Sequence, residues 1–137
     1  MARVVLVSCV SKKRDRKAKA RDLYISTLFR YNLKYANSLN PDKIFILSAK
    51  YGLLSLEKEV MPYNQTLNGM KSAEIKKWAD NVVAQLKQIA DLKKDEFVFL
   101  AGENYRKYLI PHISNYKIPM KGLGIGKQLK FLKEKTI

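Results

Sequence analysis

Three short runs of apolar residues, each uninterrupted by a polar position, constrain this chain more than any other feature: Val4-Val5-Leu6-Val7, Ile44-Phe45-Ile46-Leu47 and Phe97-Val98-Phe99-Leu100. A strand with one wet face alternates apolar and polar residues, whereas a continuous run suits a strand buried on both faces, as in a parallel sheet. A weaker fourth run is Tyr116-Lys117-Ile118. Between the runs the apolar spacing becomes helical. Ile25, Leu28, Phe29, Ala36 and Leu39 form one stripe, which Asn40-Pro41 ends. A second stripe runs from Ile75 through Trp78, Val82 and Leu86 to Ala90, with Ser72 as the expected N-cap and Glu74 placed to suit the helix dipole. Shorter helices are expected from Asn104 to Ile110, stopped by Pro111, and from about Gly126, with Ile125, Leu129 and Leu132 on one side. The order β-α-β-loop-α-β-α-β-α predicts an α/β fold: one domain over residues 1–137, a three-layer α/β/α sandwich with a mainly parallel sheet of about four strands. A chain of 137 residues buries roughly two-thirds of its unfolded surface, so the core needs no staple.

Several function classes are excluded at this level. No apolar run approaches the roughly 18 residues of a membrane span. The opening MARVVLVSCVSKKR places its cations after a short apolar stretch, the reverse of a secretory signal. Cys9 is the one cysteine, so no intrachain disulfide forms and a reducing cytoplasm fits best. With one Cys and one His, His112, a zinc site is not expected, and neither is any cofactor. Ser8 lacks the G-x-S-x-G surroundings of a hydrolase nucleophile.

Charge points to a partner. Twenty-seven Lys and Arg against 12 Asp and Glu give +15, which implies a polyanion. The cations are clustered. Seven lie between Ser11 and Arg21 beside one acid, Asp15, and Lys117, Lys121, Lys127, Lys130, Lys133 and Lys135 face one acid, Glu134. The competing reading is a lysine-rich solvated surface.

In open parallel sheets, ligands bind beyond the carboxyl ends of the strands. Strand one exits into Ser8-Cys9, strand two into Ser48-Ala49-Lys50-Tyr51-Gly52, and strand three into Ala101-Gly102-Glu103-Asn104-Tyr105. Small residues there admit a ligand close to the backbone, or simply permit the turn. Lys12 and Lys13 follow strand one closely enough to hold phosphate. Cys9 reads either as a small buried hydrophobe or as a thiol activated by the cations after it. Tyr51, Tyr63 and Tyr105 fall in loops, where they stack on bases or pack the loops themselves. Gly122-Leu-Gly-Ile-Gly126 with Lys127 is not a P-loop, yet glycines such as Gly124 and Gly126 before a helix offer amides to an anion. The long segment from Lys50 to Lys71 exceeds an idle connection and is expected to be functional.

Taken together, Ser8-Cys9 with Lys12-Lys13, Ala20 to Ser26 with Phe29, Leu47-Ser-Ala-Lys-Tyr-Gly-Leu-Leu54, Pro62-Tyr63 and Gly124 to Leu129 resemble a family of small prokaryotic and phage domains of unknown function, related to the YaaA-like peroxide-stress proteins and distantly to the uracil-DNA glycosylase-like fold. The resemblance spans nearly the whole chain, and its most specific part is ILSAKYGLL. It implies DNA binding or chemistry at a base–sugar bond. The chain departs from the glycosylase pattern, having no acid after strand one until Asp15 and no His112 motif that aligns.

The expected function is binding of DNA, RNA or a phosphorylated nucleoside at the carboxyl edge, either with chemistry at the N-glycosidic bond or as a module without chemistry. In the catalytic version Asp22 or Glu103 positions water, Lys50 and Lys12 hold phosphate, and Tyr51 or Tyr63 stacks on a flipped base. The remaining expected ligand contacts are Ser8, Cys9, Lys13, Ser48, Gly52, Gly102, Tyr105, Gly124, Gly126 and Lys127.

Overall fold

The computed structural model describes residues 1–9 and 13–136. In chain order it comprises β1 (Arg3–Ser8), β2 (Ala18–Lys19), α1 (Ala20–Leu23), α2 (Thr27–Ser38), β3 (Lys43–Ser48), β4 (Gly52–Ser55), β5 (Glu59–Val60), α3 (Ser72–Ile89), β6 (Glu96–Leu100), α4 (Glu103–Arg106), a 3-10 turn at Ile110–His112, β7 (Tyr116–Lys117) and α5 (Ile125–Lys135). The main sheet has five strands in the order β4-β3-β1-β6-β7. All neighbours are parallel except β3 and β4. The fold is therefore α/β with a mostly parallel sheet, and the three continuous apolar runs form its centre. Val5 stands opposite Ile44 on one side and Val98 on the other. Val4 to Val7 are fully buried, as a run without polar positions requires.

The helices follow their stripes with local shifts. Ser26 Oγ accepts from Phe29 N at 3.1 Å and opens α2. Ile25 thus falls before the helix and is exposed, while Phe29 and Ala36 are buried. Ser72 is the first residue of α3 rather than its cap, and Lys71 occupies the cap position. Glu74 Oε1 accepts from Lys71 N at 3.5 Å, so the acid does serve the first turn. The segment after Gly102 makes one α-turn and then a 3-10 turn at Pro111 instead of one helix.

Two pairings go beyond the expected order. The chain after β3 does not leave the sheet at Ser48. It turns through Ala49 to Tyr51 and returns as antiparallel β4, with Ser48 opposite Gly52 and Leu47 opposite Leu53. Gly52 has φ of +70°, where a Cβ is strained. Second, β5 pairs with β2, Lys19 opposite Glu59. This places acids beside the first basic cluster: Arg21 meets Glu57 at 2.7 Å, Lys19 meets Glu57 at 3.1 Å and Lys17 meets Glu59 at 3.7 Å.

The two ends of the sheet differ in chemistry. At the amino end, Arg3 Nε donates to Glu96 Oε1 at 2.7 Å, and Lys117 lies 3.3 Å from the same carboxylate. Arg3 N donates to Asp42 Oδ2 at 2.7 Å, and Ala2 N to Asp95 Oδ1 at 2.8 Å. Acids and cations there neutralise one another. At the carboxyl end the order matters more. From β1 the chain moves to β3 on one side, and later to β6 on the other. The connections leaving β1 and β6 thus diverge, and a crevice must open between those two strand ends.

Candidate functional site

A cleft of about 680 Å³ lies at that divergence. Its size falls in the usual range of small-molecule sites, about 300–1,000 Å³. Ser8 and Cys9 enter it from β1, Ala101 to Arg106 from β6 and α4, Gly122, Leu123, Ile125 and Gln128 from the glycine-rich turn and α5, and Asn32 from α2. Asn64, Gln65, Thr66 and Asn68, from the second half of the long loop, close another wall. Carboxamides dominate the polar lining, and Phe99, Ile118 and Met120 are part of its apolar lining.

Cys9 and Tyr105 are buried partners in this wall. Cys9 Sγ donates to Tyr105 Oη at 3.5 Å, and Leu67 N donates to the same oxygen at 3.3 Å. Burial, with the nearby Cys9 adding to it, pushes the Tyr105 phenol up to about 12. It is therefore a neutral hydroxyl throughout the physiological range. Trp78 packs edge-on against its ring at 5.7 Å.

Beside the cleft lies a second cluster of buried hydroxyls. Tyr63 Oη hydrogen-bonds Tyr24 Oη and, at 2.7 Å, Ser48 Oγ. Burial raises the pKa of both tyrosines. Ser48 Oγ also accepts from Tyr51 N at 3.1 Å, and Ser48 O accepts from Trp78 Nε1 at 2.9 Å. Lys13 links the two regions, because it lines the cleft while its Nζ stands 4.5 Å from the Tyr63 ring centre and 5.6 Å from that of Tyr24. Desolvation lowers its pKa, and Cys9 partly offsets that. An ammonium over aromatic faces in a partly dry place is well suited to meet an anion.

The structure brings Ser8, Cys9, Lys13, Gly102, Glu103 and Tyr105 to one cleft. Gly124 caps α5 at its edge, with Gly126 and Lys127 in the helix's first turn. Lys12 lies outside the described residues. Ser48, Lys50, Tyr51 and Gly52 do not line the cleft: they build the β3–β4 turn, where Tyr51 packs edge-on on Tyr63 at 5.6 Å and Lys50 stands over Tyr51. Tyr63 is in the hydroxyl cluster behind it. Asp22 is exposed on α1, away from the lining, and its carbonyl accepts from Arg14 Nε at 2.8 Å. Among the described lining residues, Glu103 is the one carboxylate.

Sequence reasoning missed Asn32 and Gln128, and it marked the segment from Lys50 to Lys71 as functional without singling out Asn64, Gln65 or Asn68 within it. Asn32 sits on the α2 stripe as a polar interruption between Phe29 and Ala36, and a buried amide in a core face was the available signal. Among the described residues no group of three or more His, Cys, Asp or Glu side chains comes together to hold a metal ion, and no helix is long and apolar enough to cross a membrane.

A family model described as "Family of unknown function (DUF6884)" matches residues 4–134. No curated protein and no solved structure matches the chain.

Proposed function

The chain belongs to this family of unknown function, and on that premise we propose that it binds nucleic acid or a nucleotide in the cleft at the carboxyl edge. The observation that carries the reading is the lining. Asn64 and Gln65 each offer a donor and an acceptor side by side, the pattern that matches base edges. Asn104 Nδ2 donates to Asn68 Oδ1 at 3.1 Å and Gln128 Nε2 to Leu123 O at 2.8 Å, which leaves those three amides their remaining donor and acceptor positions. Lys13 and Arg106 add positive charge for phosphate. The reading takes the helices to cover both faces of the sheet, as right-handed crossovers in opposite directions imply, which leaves this edge as the open side.

A second reading, hydrolysis at a base–sugar bond, is favoured by one feature: Glu103, an exposed carboxylate on the cleft wall, is placed to activate water. Resemblance to the YaaA-like and glycosylase-like proteins agrees with both readings, with DNA or RNA as the strand.

The test is equilibrium binding of labelled single-stranded DNA and RNA across a salt series. Affinity should fall with salt at a log–log slope of about 0.7–0.9 per contacted phosphate. Lys13→Ala with Lys127→Ala and Lys130→Ala should weaken binding and flatten the slope. Arg16→Ala and Lys17→Ala, whose partners are already acids of this chain, should change it less. Absence of binding at low salt, or indifference to the Lys13 set, defeats the proposal. Release of free base from modified oligonucleotides, lost in Glu103→Gln, would decide for the enzyme.

A further inference from the structure

Two features of the cleft have no partner among the described residues. The first is Asn32. It is 4% exposed and lines the cleft, yet its Oδ1 accepts no hydrogen bond. A buried carbonyl oxygen without a donor is costly and uncommon in native proteins, and a ligand that brings an N–H or O–H would satisfy it. The second is the start of α5, the helix that packs against α2. Its ladder begins with Gln128 N donating to Gly124 O at 2.9 Å, so the amides of Ile125, Gly126 and Lys127 precede it. Gly124 at the cap has no side chain to accept them, and the first turn contains no acid. Nothing lies within 4 Å of where a Cβ would stand on Gly124 or Gly126, so an anion has room to approach.

Resting on the proposed nucleotide-binding function, we infer that the cleft is a two-point site for one nucleotide, its phosphate on the α5 amides and its base or sugar donating a hydrogen bond to Asn32. The charges are complementary: an acceptor-only anion meets donors at the helix start, while the neutral half of the ligand meets an acceptor deep in the wall. Ile125, 66% exposed and on the lining, offers an apolar face against which a flat base can rest. The same chemistry is presented by a free mononucleotide and by an unpaired nucleotide within a strand.

Calorimetric titration with 5′-mononucleotides, the matching nucleosides and inorganic phosphate tests both points. Gly124→Asp supplies its own cap at an extended backbone (φ −71°, ψ 170°), so the variant folds while its carboxylate competes for the amides. It should lower mononucleotide affinity about tenfold and leave nucleoside affinity unchanged. Asn32→Leu, which removes the unpaired oxygen and keeps the fold, should weaken nucleoside and nucleotide alike, about 3- to 10-fold. Mononucleotide binding that ignores Gly124→Asp, or nucleoside binding that ignores Asn32→Leu, overturns the two-point site. Oligonucleotide binding through the lysines without any mononucleotide or nucleoside binding overturns it too, yet leaves the broader function standing. No binding of any kind defeats both. A duplex with one unpaired nucleotide, competed against the mononucleotide, identifies the source: tighter duplex binding that Asn32→Leu weakens assigns the site to a strand, and tighter mononucleotide binding assigns it to the free ligand.

Discussion

Replacing Gly52 with Ala separates the frame from the site. Gly52 sits at φ +70° where the chain turns back into β4. A left-handed conformation costs an ordinary residue about 1–2 kcal/mol. The new methyl would also stand 2.4 Å from Gln85 Oε1, the atom that accepts from Leu53 N at 2.9 Å. Gln85 is flexible and will move, which sacrifices that hydrogen bond, worth about 0.5–1.5 kcal/mol. The sum is about 1.5–3.5 kcal/mol of lost stability. Urea unfolding followed by circular dichroism should show a lower midpoint with an unchanged slope. Gln85→Ala alone loses the same hydrogen bond, so the double variant should cost less than the two single changes added. Oligonucleotide affinity of the folded protein should be preserved, because Gly52 is not on the cleft wall. A Gly52→Ala midpoint equal to the parent's refutes the strain argument. Lost binding at unchanged stability would return the β3–β4 turn to the ligand site.

Two further outcomes test other parts of the structure. Tyr63→Phe removes the hydroxyl shared by Tyr24 and Ser48, and should cost about 1–3 kcal/mol by urea unfolding without altering ligand affinity; no loss of stability would mean that the cluster contributes nothing. Glu96 is held below its ordinary 4.5, first by the hydrogen bond from Arg3 and then by Lys117. Because the folded value is the lower one, its stabilisation is present above pH 4.5 and is lost as pH falls through the folded value. The stability gap between the parent and Glu96→Gln should therefore be constant near neutrality and shrink in acid; a gap independent of pH down to acid unfolding would show that the ion pair is not its source.

Fold class was legible in Val4–Val7, Ile44–Leu47 and Phe97–Leu100 because burial on both faces leaves no polar position in a strand, and that pattern is local. The helical stripes were legible for the same reason, with Glu74 serving the first turn of α3 as its position implied. The exits at Ser8-Cys9 and at Gly102 to Tyr105 could be placed in advance, since a parallel sheet puts its strand ends on one edge. Strand order could not. That β1 is central, with β3 and β6 on either side, depends on which distant runs pair, and it is this order that opens the cleft between β1 and β6. The hairpin at Ser48–Gly52 was hidden likewise: SAKYGLL reads as an exit until Leu53 and Leu54 are seen to pair with Leu47 and Ile46. The basic cluster before Arg21 looked unopposed along the chain because Glu57 and Glu59 are far away in sequence, and the β2–β5 pairing brings them in. Side-chain type and spacing determine what each segment must bury. Which polar groups end up together, and which, like Asn32 Oδ1, end up with none among the described residues, is decided when the segments pack, because only then does each donor and acceptor acquire its neighbours.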